Sequence, residues 1–144
     1  MATSAFYFID DFILQLGKGT HQLHAAGHTL MLMLSNTTPN AATMTVKSDV
    51  TEITAQNGYS AGGADTANDY TQTSGTGSCV GTDITWTSSG AGFGPFRYAY
   101  LYNDTAASDN LIGYFDYGSA ITPAGGETFV TDFGTSMFTV PKSA

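Results

Sequence analysis

GPFRYAYLYND, residues 94–104, places an aromatic residue at every second position after Gly94-Pro95: Phe96, Tyr98, Tyr100 and Tyr102. A β-strand sends alternate side chains to opposite faces. As a strand, the stretch turns these aromatic rings to one face and Arg97, Ala99, Leu101 and Asn103 to the other. The second aromatic cluster, LIGYFDYG at 111–118, pairs with it as a hairpin across the turn residues DTAASD. Alternation puts Leu111, Phe115 and Tyr117 on one face of this second strand, and Ile112 and Tyr114 on the other. The two strands carry seven aromatic side chains, more than one sheet face of a small domain readily hides. Tyr keeps its hydroxyl wet while its ring is buried and is enriched at protein interfaces. Tyr98, Tyr100, Tyr102, Tyr114 and Tyr117 are therefore the candidate protein-contact residues.

Working outward, the rest of the C-terminal half also reads as β. Strands are expected near 67–73, 79–88, 95–103, 110–117, 127–133 and 136–140, separated by turn-rich runs such as NDTAASDN and SAITPAGGE. In CVGTDITWTSS, Val80, Ile84 and Trp86 share a face. Short strands at this spacing predict a mainly β fold, an antiparallel β-sandwich or jelly-roll-like domain. HTLMLMLS at 28–35 adds a strand apolar on both faces, expected to be covered by the helix on one side and a sheet on the other. SAFYFIDDFILQL at 4–16 reads as one N-terminal α-helix, with Ser4 as N-cap and Phe6, Ile9, Ile13 and Leu16 as its apolar face. Gly17-Lys18-Gly19 stops it. Residues 40–65 form a long loop or arm, in which KSDVTEI makes a helical turn with Ser48 capping and Glu52 in its first turn. The 144 residues thus form one domain: helix 1–17, loop 40–65 and β-rich portion 66–144.

Composition excludes several functions. Formal net charge is −8 and the basic residues are Lys18, Lys47, Arg97 and Lys142 only. Direct binding of nucleic acid needs a cluster of Lys and Arg to neutralise phosphates, and no such patch exists. An anionic membrane surface is disfavoured for the same reason. Charged residues make up 11% of the chain, against about 25% in ordinary soluble domains, while Gly, Ser, Thr and Ala are abundant. Low charge with Thr- and Gly-rich strands is common in β proteins that assemble, so a homo-oligomer is expected. MATSAFYFIDDFILQL lacks a basic n-region and is broken by Asp10 and Asp11, so it does not read as a secretion signal. Synthesis and folding in a reducing cytoplasm are expected, with Cys79 an inert thiol.

Motifs for catalysis or cofactors are weak. GYSAG, Gly58–Gly62, matches the G-x-S-x-G nucleophile elbow. Yet no buried strand precedes it, no helix follows it, and His21, His24 and His28 all lie upstream. Those histidines form H-x2-H-x3-H, but Gly17, Gly19 and Gly27 oppose the continuous helix a metal site of that spacing needs. Asp65 with Asp69, and Asp104 with Asp109, lack the EF-hand spacing. Nothing in the sequence pairs Glu52 or Glu127 with a second carboxylate as glycoside hydrolysis demands. No catalytic residue, metal or cofactor is expected, and the chain reads as a non-enzyme.

ITAQNGYSAGG (53–63), VGTDITWTSSGAGFGPFRYAYLYNDT (80–105) and LIGYFDYGSAITPAGGETFVTDF (111–133) resemble a family of small proteins encoded among the structural genes of tailed bacteriophages. FIDDFILQLGKGTHQL and HTLMLMLSNTTPN have the same shape, so the resemblance spans nearly the whole chain. QLGKGTHQLHAAGH departs from it, being longer and richer in His. The resemblance implies a virion structural protein, foremost a capsid decoration or cement protein on the outer capsid surface between capsomers. Its partners would be the major capsid protein and copies of itself. A tail, neck or fibre component is the neighbouring alternative, and a carbohydrate-binding β-sandwich module the alternative from another class.

Overall fold

A computed structural model describes residues 5–142. Its elements are β1 (Phe6–Phe8), α1 (Asp11–Gly17), β2 (Leu30–Ser35), a 3-10 turn (Lys47–Asp49), β3 (Ala64–Asp65), β4 (Asp69–Thr73), β5 (Thr76–Val80), β6 (Ile84–Thr87), β7 (Phe96–Asn103), β8 (Leu111–Ile121), β9 (Thr128–Thr131) and β10 (Phe138–Val140). The fold is mainly β and antiparallel, sandwich-like, with one α-helix. One layer is a sheet of order β1-β8-β7-β2-β3. The other is built from the sheets β10-β5-β4 and β6-β9.

The main core fills the space between these layers. Leu30, Leu32 and Leu34 of β2, Ala99 and Leu101 of β7, and Ile112 and Phe115 of β8 meet Cys79, Ile84, Trp86, Phe129 and Phe138 from the smaller sheets. Rings dominate it. Phe96 lies edge-on to Phe129 at 4.8 Å, and Trp86 stacks on Phe129 at 5.8 Å. Such pairs add to area burial through the ring quadrupole.

The N-terminal segment does not form the helix that its apolar spacing predicts. Phe6–Phe8 is extended and pairs antiparallel with Phe115, Tyr114 and Gly113 of β8. The helix starts only at Asp11, and Ser4 lies outside the described residues. Aromatic rings favour a pleated, half-buried surface. Here Phe6 stacks on Phe138 and meets Phe115, and Phe8 stacks on Phe12. Gly113 makes room, since a Cβ there would collide with the Phe6 ring and the Tyr7 carbonyl. Inside α1 the buried residue is Phe12, whereas Ile13, expected on the apolar face, is 60% exposed.

β2 is covered on both faces, though not as expected. Its leucines face the main core together with Phe12 of the helix, so helix and second layer share one side. On the other side Met33 packs with Ile9, Tyr98, Tyr100, Tyr102 and Leu111 under Met44 and Val50. That cover comes from residues 40–50, not from a sheet. The stretch 40–65 is therefore a packed flap rather than an arm. It also closes the edge of β2 beyond the short β3: the Ile53 amide donates to the Leu34 carbonyl at 3.1 Å, and Ser35 bridges to Glu52. Its 3-10 turn is capped by Asp49, whose Oδ2 accepts from the Thr45 and Val46 amides at 2.8 and 3.1 Å; Ser48 is not the cap and Glu52 lies past the turn.

The expected strand at 79–88 is two strands, β5 and β6, that belong to different sheets. Gly81-Thr82-Asp83 separates them, and the shared inward face is Cys79, Ile84 and Trp86, with Val80 only partly buried. The 95–103 and 110–117 hairpin is present as β7 and β8, but two register shifts interrupt its alternation, between Phe96 and Tyr98 and between Leu101 and Tyr102. β8 also continues to Ile121, through residues that read as turn by composition.

Candidate interaction surface

The five tyrosines expected at a contact surface separate into two groups. Tyr98 is 7% exposed, and Tyr100 and Tyr102 are 0% exposed. They line the inside of the second core, because the flap lies across them. The Tyr102 hydroxyl reaches that flap, donating to the Gly62 carbonyl at 2.7 Å, while Tyr100 donates to the Thr37 carbonyl, just ahead of the flap, at 2.6 Å. Burial pushes the Tyr100 phenol above its usual range. These three rings pack beneath the flap and are not a free docking face. Nor can they stack on a sugar, as an aromatic platform would require. Tyr117 faces the main core, edge-on to Phe129 at 5.2 Å, and burial raises its phenol to about 12. Only Tyr114 stays partly open on the outer face.

The sequence reading missed the ring that is exposed. Tyr7 of β1 is 50% exposed and stacks on Tyr114 at 5.3 Å. Tyr98 stands edge-on to Tyr114 at 6.4 Å, and Arg97 lies over the Tyr98 ring at 5.2 Å. Arg97 also forms a forked pair with Asp116, Nε to Oδ1 at 2.9 Å and Nη2 to Oδ2 at 3.2 Å. The guanidinium beside Asp116 holds that carboxyl below the usual range. Just beyond β1, Ile13 and Leu14 of α1 are 60% and 53% exposed. Among the described residues, the exposed large hydrophobic side chains all lie between Tyr7 and Leu14. β1 is in addition an edge of the five-stranded sheet. Period-3.6 reading hid this by assigning Ile13 to a buried helix face.

The remaining chemical candidates stay apart or are structural. GYSAG is a turn: Gln56 bridges to Tyr59, and Gly58, Gly62 and Gly63 have positive φ. Gly58 lies so close to the Thr87 carbonyl that a side chain there would collide with it. Tyr59, next to Ser60, is buried against Trp86 and Phe93. Its hydroxyl accepts from the Leu34 amide at 2.9 Å and donates to Glu52 Oε1 at 2.6 Å. Glu52 Oε1 also accepts from the Gly62 amide at 2.7 Å, so this carboxylate ties the flap together. Asp65 and Asp69 cap local amides, as does Asp49. Among the described residues, no group of three or more His, Cys, Asp or Glu is arranged to hold a metal ion. Cys79 is fully buried, and burial pushes its thiol up to about 12. His24 is exposed, while His21 and His28 converge on Asn103. Among the described residues, no helix is long and apolar enough to cross a membrane.

Comparison with protein-family models, with curated proteins and with solved structures finds no match to this chain.

Proposed function

We propose that this chain is a structural protein of a tailed-phage virion, and within that class a capsid decoration or cement protein that binds the major capsid protein and copies of itself. The resemblance carried by GPFRYAYLYNDT and LIGYFDYG sets the class. The observation that supports a docking role is the exposure of Tyr7 on the edge strand β1 and of Ile13 and Leu14 on the helix that follows it. Contact there would be apolar and main-chain in character, since an edge strand presents unpaired backbone groups. With few cations available, attachment would depend little on ion pairs. Burial of apolar surface contributes about 25 cal/mol per Å² before association costs, and repetition over a shell multiplies weak contacts.

The test is sedimentation of heads lacking the protein after incubation with it at low and at high salt. Wild-type protein is expected to co-sediment at both and to raise the resistance of the heads to heat. Ile13→Ser with Leu14→Ser should lower occupancy while leaving the melting temperature near wild type. Co-sedimentation with tails alone would shift the reading to a tail, neck or fibre component. Loss of binding at high salt would show that ion pairs rather than apolar contacts hold the protein.

A further inference from the structure

Asn103 sits at the end of β7 with its side chain fully engaged. Its Oδ1 accepts from the amides of Thr105 and Ala106, both at 3.1 Å, and so holds the turn between β7 and β8. These two donors fix which end of the carboxamide is oxygen. Nδ2 then faces His21 Nδ1 at 3.0 Å and His28 Nδ1 at 2.9 Å, with the Thr20 carbonyl farther off at 3.4 Å. An amide nitrogen donates two hydrogens and accepts none. Both Nδ1 atoms must therefore carry a lone pair, which makes both imidazoles neutral and places the proton on Nε2. His21 is 5% exposed, and its Nε2 has no hydrogen-bond partner. Its ring lies 5.3 Å from that of Phe12, between α1 and the 18–29 loop.

We propose that Asn103, His21 and His28 form a proton-operated latch that joins the loop between α1 and β2 to the β7–β8 turn, closed when both imidazoles are neutral and opened by acid. A proton added at Nδ1 of either ring turns the acceptor into a donor facing the Nδ2 hydrogens. The carboxamide then rotates to offer Oδ1 to the imidazolium, and the Thr105 and Ala106 amides lose their acceptor. Asp11 on α1 faces His21 and favours its charged form, whereas burial and His28 oppose it more strongly and lower its pKa to about 4. His24 and Tyr70 line the same surface cleft as His21, and Asp104 follows Asn103 in the chain. The loop has other anchors. Asn68 Nδ2 donates to the Leu23 and His28 carbonyls at 2.8 and 3.0 Å, and the Thr29 amide donates to Thr105 Oγ1 at 3.0 Å. The Thr29 carbonyl accepts from the Asp104 amide at 3.0 Å, and the Ala25 amide donates to the titratable Asp69 Oδ1 at 3.0 Å. Acid therefore loosens the His21 contact and the β7–β8 turn before it unfolds the domain.

Two measurements on the whole chain test the latch. In ¹⁵N spectra at pH 7, Nδ1 of both His21 and His28 is expected to be unprotonated; a proton on either Nδ1 would overturn the assignment. In hydrogen exchange corrected for intrinsic rates, protection at Thr105 and Ala106 is expected to fall about tenfold or more between pH 7 and pH 4. Protection at Ile53, whose amide bonds to Leu34, should hold. Unchanged protection at both turn amides would refute the latch. His21→Gln with His28→Gln keeps an acceptor for Asn103 Nδ2 and removes the titration, so its turn should stay protected in acid. Asn103→Asp offers acceptors only, so its stability should rise as pH falls from 7 to 5. An acid loss in both variants equal to that of the wild type would place the sensitivity elsewhere.

Discussion

Phe96 and Tyr98 are two residues apart on one strand and belong to opposite sides of the sheet, Phe96 to the main core and Tyr98 to the core beneath the flap. Regular alternation would put them on the same side. The register shifts between them: Phe96 pairs with Ile121 and Tyr98 with Asp116, so four residues of β8, Tyr117–Ala120, stand opposite Arg97 alone in a bulge. A bulge bends a strand and re-aims its side chains. Phe96 and Tyr117 thereby both reach Phe129.

That bulge depends on Gly118, which has φ +85 and open space around the position of a Cβ. A side chain there meets backbone strain without a clash. Gly118→Ala is expected to cost about 1 kcal/mol, and Gly118→Asn less, because Asn tolerates the left-handed region. Urea denaturation of the two variants side by side checks the order.

Gly113 tests a different limit. Its missing Cβ is the space occupied by the Phe6 ring and the Tyr7 carbonyl. Gly113→Ala should therefore push β1 off β8, at about 1–3 kcal/mol in the manner of an overpacked core. Exchange of the Ile9 amide, bonded to the Ile112 carbonyl at 3.0 Å, reports the detachment directly.

The two sides of α1 make opposite predictions. Phe12 is fully buried between Phe8 and Phe138, so Phe12→Ala should cost about 3–5 kcal/mol. Ile13 is 60% exposed, so Ile13→Asp should change stability by no more than about 0.5 kcal/mol. A large loss for Ile13→Asp in thermal unfolding would mean that the side chain is buried, as the uninterrupted helix reading requires.

Alkali supplies a pH test. Burial raises the Cys79 thiol from its ordinary 9.0 to about 12. A raised acid is protonated in the folded state while the unfolded chain ionises, so this contribution is complete below pH 9 and is lost as pH rises toward 12. Thermal stability should decline across that window, and less steeply in Cys79→Ala than in wild type. A disulfide reagent at pH 8 should label the native thiol only as fast as the chain opens.

Strand placement was legible in the sequence because β2, β7 and β8 carry long aromatic or aliphatic runs bounded by turn residues. Their facing was less so. Which way Phe96 or Ile112 points depends on bulges, and a bulge is set by pairing with a strand elsewhere in the chain. The Phe6–Phe8 segment fits both periods over so few residues, and its conformation is decided by Phe138 and by the room at Gly113. Tyr98, Tyr100 and Tyr102 read as surplus aromatic surface because nothing in the spacing of residues 40–50 announced that Met44 and Val50 would cover them. The meeting of His21 and His28 at Asn103 spans more than seventy positions and carries no local signature.

The order of strands in the large sheet has a consequence for synthesis. β2 pairs with β7, and β1 with β8, while β7 and β8 are neighbours both in the chain and in the sheet. A ribosome therefore releases β1, α1 and the run LMLMLS well before any of their large partners exists. Local pairs form cheaply and distant ones wait on loop closure. The β7–β8 hairpin is thus the natural template, onto which the earlier-made strands are added on either side. Until residue 103 has emerged, the leucines and methionines of β2 have only the two-residue β3 to pair with, and this interval is when a growing chain is most exposed to mispairing with its neighbours.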